Sequence, residues 1–125
     1  MANTDDTVAT LSNGLPLPPV PQRLRDMLKD YPEHINRLQN ALNFAVERPA
    51  GSPPFEIAVW ALEDQIGGFI REAQTELESV ESGGDAEKIA QANAKELLMF
   101  QARSGGMKGL HELWDYFQTH KNAFR

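Results

Sequence analysis

Residues 52–82 read SPPFEIAVWALEDQIGGFIREAQTELESVES, and they decide the fold. Ser52 suits a helix N-cap, Pro53 suits a first helical position that needs no N–H partner, and Gly83-Gly84 suits the far end. Between these marks Phe55, Val59, Leu62, Ile66, Phe69 and Ala73 recur at alternating spacings of four and three, which gathers them on one helical face. The spacing predicts one long helix over about 53–82. At about 1.5 Å per residue it would run on the order of 43 Å, so other helices must lie along it.

Upstream, Val20, Leu24, Met27, Leu28 and Tyr31 fall at helical spacing and predict a short first helix. Asp30-Tyr31-Pro32-Glu33 resembles a capping box with proline in the first turn, so the chain should break near Tyr31 and restart. Ile35, Leu38, Leu42, Ala45 and Val46 carry that second helix to Arg48, and Pro49-Ala50-Gly51 ends it. The short connection makes it an antiparallel neighbour of the long helix.

Downstream, Asp85 is a suitable N-cap for a helix through DAEKIAQANAKELLMFQARS, forming a helical hairpin with the long one. Ser104-Gly105-Gly106 interrupts the pattern, and Met107, Leu110, Leu113, Trp114 and Phe117 restore it as a last helix. Helices rise equally per residue, so a turn at Gly83-Gly84 predicts the pairs Asp64 with Arg103, Arg71 with Glu96, Glu72 with Lys95 and Glu78 with Lys88. No alternating, strand-like run occurs. The class is all-α: an antiparallel bundle of four to five helices built on one long central helix, spanning residues 20–121.

Residues 1–19 read differently. MANTDDTVATLSNGL has no period, and LPLPPVPQR favours a polyproline II path, so this segment is expected to be a flexible, proline-containing tail. Pro18, Pro21 and Arg23 match the spacing of a PxxPxR ligand, although a stiff leader before the first helix is the simpler reading.

The 125 residues bound a single domain, and the absence of cysteine excludes disulfides, zinc–thiolate sites and cysteine nucleophiles. No leader of signal-peptide character and no long uncharged run is seen, so the chain reads as cytoplasmic, without a membrane partner. The net charge of −6 resides in residues 52–82, where seven acids stand against Arg71 alone. Nucleic-acid binding, which relies on a basic patch, is disfavoured.

Chemistry-bearing motifs are missing. His34, His111 and His120 lack the spacing of helical metal ligands, and no phosphate-loop, dinucleotide or nucleophile-elbow motif occurs, so neither metal nor cofactor is expected. The expected role is non-enzymatic: contact with a protein partner of basic surface, or self-association. The candidate surface is Glu72, Glu76, Glu78 and Glu81, because acids near a helix C-terminus oppose the macrodipole. The alternative is a ligand-binding protein or enzyme with an interhelical pocket lined by Trp60, Trp114 and Tyr116.

Gly67-Gly68 interrupts the long helix at a cost of about 1 kcal/mol per glycine relative to alanine. Close approach of Leu98 and Met99 or Phe100 from the neighbouring helix is the expected reason, and a hinge that bends for a partner is the other.

Overall fold

The computed structural model describes residues 10–11, 14–47 and 53–124. Among them the regular structure is helical: α1 (Gln22–Met27), α2 (Pro32–Glu47), α3 (Pro54–Gly83), α4 (Ala86–Ser104), α5 (His111–Thr119) and a closing 3₁₀ turn (Lys121–Phe124). The longest element is α3, about 45 Å at the usual rise per residue. It is flanked by α2 on one side and α4 on the other, while α5 touches it and α1 meets α4. The architecture is an all-α bundle on one central helix.

The helix ends follow from local chemistry. Gly84 takes the left-handed conformation at φ 75°, and its N–H reaches the carbonyls of Val80 and Glu81, which closes α3. Asp85 then caps α4, its carboxylate accepting from the backbone N–H groups of Glu87 and Lys88 at 3.0 and 3.2 Å. The start of α3 differs from expectation by one residue: Pro53 occupies the cap position with no side-chain cap, and Pro54 is the first helical residue. Ser52, expected as the cap, lies outside the described residues. Similarly, α2 starts at Pro32, which makes Tyr31 rather than Asp30 its flanking residue. Gly106 follows α4 where a side chain has no room, since a Cβ there would collide with Leu24 of α1 and lie 2.6 Å from the Ala102 carbonyl oxygen. The last helix starts later than its pattern suggests, at His111, with Met107 and Leu110 packed on the core from the preceding turn.

The core is wider than the expected stripe. On α3, Leu62, Ile66, Phe69 and Ala73 are buried as read, and Ala58 and Ile70 join them because two helices bracket α3. Phe55 and Val59 are only partly buried. Leu24, Leu28, Leu38, Leu42, Leu62, Met99 and Leu113 are wholly enclosed; burial of each such side chain contributes about 1.5–3 kcal/mol.

The expectation of a flexible tail does not hold for its described part. Leu11 and Pro18 are buried, and Leu15 and Leu17 pack on the core. Three polar bonds fix the path. Leu11 N–H donates to the Leu15 carbonyl, Gln39 Nε2 donates to the Pro18 carbonyl at 2.7 Å, and Tyr116 donates its hydroxyl to the Pro16 carbonyl at 2.6 Å. Extended chain has no helical period to reveal its apolar side, and proline carbonyls remain full acceptors. Enclosure of Pro18 and Pro21 also takes the two prolines of the PxxPxR match off the surface, leaving Arg23 exposed. Residues 1–9 lie outside the described residues.

Candidate interaction surface on the outer face of the central helix

Four charged pairs were expected between α3 and α4, and none of them forms among the described residues. Glu72 turns to α2 instead and receives both Arg37 guanidinium nitrogens at 2.7 Å. Lys95 consequently meets Glu76, one turn further along, at 2.9 Å, with its ammonium also over the Tyr31 ring. The hydrogen bonds from Arg37 hold the Glu72 carboxyl below the usual carboxylate range, and the same contact raises the Arg37 guanidinium. Arg37 also covers the Phe69 ring at 4.7 Å, and His34 lies 4.3 Å from that ring on centroids. Burial, with Lys95 and Arg37 nearby, pushes the His34 imidazole below its ordinary value.

These contacts divide the expected acidic surface. Glu72 and Glu76 are answered within the bundle, whereas Glu78 and Glu81 stand exposed near the hairpin tip without an ion pair among the described residues.

Trp60, Trp114 and Tyr116 take three separate roles. Trp60 is 50% exposed on α3, and Trp114 is 49% exposed with its ring edge-on to Phe55. Tyr116 is buried against Phe117, His120 and Phe124, and burial raises its hydroxyl above the ordinary tyrosine value. None of the three lines the groove between α2 and α3 described below.

That groove, about 750 Å³, runs between α2 and α3. Its walls include Ala41, Phe44 and Ala61, its polar groups include Asn40 and Gln65, and Gly68 forms part of its floor. Phe44 is 60% exposed. A further depression of about 380 Å³ continues past Arg71 toward Thr75 and Glu76.

The glycine pair has no bulky neighbour from another helix. A Cβ on Gly67 would meet only Arg71 Nη1 at 3.6 Å, and one on Gly68 only Arg71 Nη2 at 3.7 Å and Gln65 Nε2 at 4.0 Å. The residues expected opposite lie elsewhere: Met99 is buried in the core, Leu98 packs against it, and Phe100 is 44% exposed. Packing between α3 and α4 therefore does not explain Gly67 and Gly68. Trp60, Asp64, the glycine pair, Arg71 and Thr75 recur at helical spacing on the face of α3 opposite the core stripe, and Trp60, Asp64, Arg71 and Thr75 are exposed. The spacing was visible in the sequence, but its meaning depended on knowing that α2 and α4 flank α3 and leave this face open.

Among the described residues no helix is long and apolar enough to cross a membrane, and no group of three His, Cys, Asp or Glu side chains is placed to hold a metal ion. The fold and this open face define an all-α bundle with a surface groove. No family model, curated protein or solved structure matches the chain.

Proposed function

We propose that this chain is a non-enzymatic bundle that works by contact with another protein molecule, through the outer face of α3 and its groove with α2. The observation that carries this reading is the open groove of about 750 Å³ with Gly68 in its floor and Phe44 exposed on its wall. A bare glycine backbone lets a docking segment come closer than a side chain would allow, and exposed apolar area beside it rewards that approach. The acidic excess of α3 argues against a nucleic-acid partner. The absence of cysteine supports a cytoplasmic location. The test is a photo-crosslinking side chain placed at Gln65 in the groove, compared in source cells with the same group at exposed Glu87. A discrete protein adduct at position 65 and none at 87 supports the reading. Equal, diffuse labelling at the two positions removes it.

A further inference from the structure

We propose that the occupant of this face is a second copy of the same chain, packed as an antiparallel, two-fold dimer whose central helices cross at Gly67-Gly68. This rests on the reading of the α3 face as a protein contact and names its partner. In a two-fold contact the same patch serves both molecules, so the patch must complement itself. The outer face of α3 meets that condition. Arg71 and Asp64 lie equally far from the midpoint of the glycine pair, one on each side, at about 5 Å along the axis. An antiparallel crossing at that midpoint therefore sets each Arg71 opposite Asp64 of the other copy, forming two equivalent ion pairs. Trp60 and Thr75 are related in the same way.

Three observations converge on this arrangement. Arg71 and Asp64 are exposed, and neither side chain makes an ion pair or a hydrogen bond among the described residues. The glycine pair sits at the crossing point, where small residues permit helices to approach within the usual 8–10 Å or closer. Finally, a two-fold axis lying between the two layers, across α3, sets α2 beside α2 and α4 beside α4. Phe44 shares its groove with Gly68, so its exposed ring falls within the covered area. In the single copy the Arg71 guanidinium lies back over the glycine pair. Rotation of its side chain frees the crossing point and brings the charge to Asp64 of the second copy.

Sedimentation velocity on the full chain over a concentration series tests the proposal. The wild type should dimerise. Arg71→Asp and Asp64→Arg should each weaken the dimer at least tenfold, since each replaces two attractions by two repulsions. The double variant restores the complement and should return to within about threefold of wild type, which a non-specific apolar patch would not do. Gly68→Leu should leave a folded monomer, as judged by helical circular dichroism, because a Cβ there meets only the ends of the Arg71 and Gln65 side chains, at 3.7 and 4.0 Å. A wild-type chain that stays monomeric up to about 1 mM, or a dimer indifferent to charge reversal, overturns the proposal. If the chain is monomeric while Gln65 crosslinks to a different protein, this inference alone fails. If Gln65 also labels nothing in particular, the broader reading fails with it.

Discussion

The Tyr116 hydroxyl donates a 2.6 Å hydrogen bond to the Pro16 carbonyl, across one hundred positions of sequence. The bond ties the first described segment to the last full helix. Leu11 belongs to the buried core cluster and Leu15 and Leu17 pack against it, so the segment is part of the core rather than an appendage.

Tyr116→Phe should therefore lower stability by about 0.5–1.5 kcal/mol, the usual net contribution of such a bond. Removal of residues 1–17 should cost more, because it strips Leu11, Leu15 and Leu17 from their places on the core. Thermal melts of the two variants check both statements. A truncated chain that melts with the full one would mean that the leucines contribute nothing.

Two kinds of glycine are distinguishable by substitution. Gly67→Ala and Gly68→Ala should each stabilise the single copy by about 1 kcal/mol, since the new Cβ meets ordinary contacts and the helix gains propensity. Gly106→Ala should destabilise it, because the added carbon meets Leu24 and the Ala102 backbone. Chemical denaturation at a concentration where the protein is monomeric measures all three, and a loss on Gly68→Ala would reveal a packing role that the geometry lacks.

Leu62→Ala should cost about 2–5 kcal/mol, as expected for a leucine with no exposed surface at the centre of α3. A shift of a few tenths in a urea titration would place Leu62 outside the core.

Acid should weaken the fold in two steps. The lowered His34 imidazole takes up its proton less readily folded than unfolded, so its contribution is complete above about pH 6.5 and declines as pH falls from there toward the depressed folded value. The lowered Glu72 carboxyl acts below that: its contribution is complete above about pH 4.5 and is lost as pH falls through the folded value. Melting temperature against pH should fall through both windows. In Glu72→Gln the lower step should shrink while the upper one persists. The lower step should be shallow in any case, because the pair with Arg37 is largely solvent-exposed.

Much of this organisation was legible before the structure. The proline and glycine bounds of α3, the Asp85 cap and the stripe through Leu62, Ile66, Phe69 and Ala73 are local or periodic properties that a helix writes directly into its sequence. The seat of Leu11 and Leu17 was not legible, because burial of an extended segment depends on a surface assembled from α2 and α5 and leaves no period. The partner of Glu72 was hidden for a related reason. Spacing along a hairpin gives the level of a side chain but not which flanking helix it turns to, and Arg37 on α2 competes with Lys95 on α4. Gly67-Gly68 stood out by propensity alone, yet only its neighbours, Arg71 and Gln65 of α3 itself, separate an outward-facing contact from an inward one.

The Tyr116–Pro16 bond also bears on how the molecule is made. A ribosome adding about 5–20 residues per second needs roughly 5–20 s to pass from one partner to the other. Throughout that interval the α5 side of the seat is missing, and the α3/α4 hairpin can close on itself only near its end, once Ser104 has been made. The segment around Pro16 is thus made well before the helix that holds it, and its seat is completed only once Tyr116 has followed.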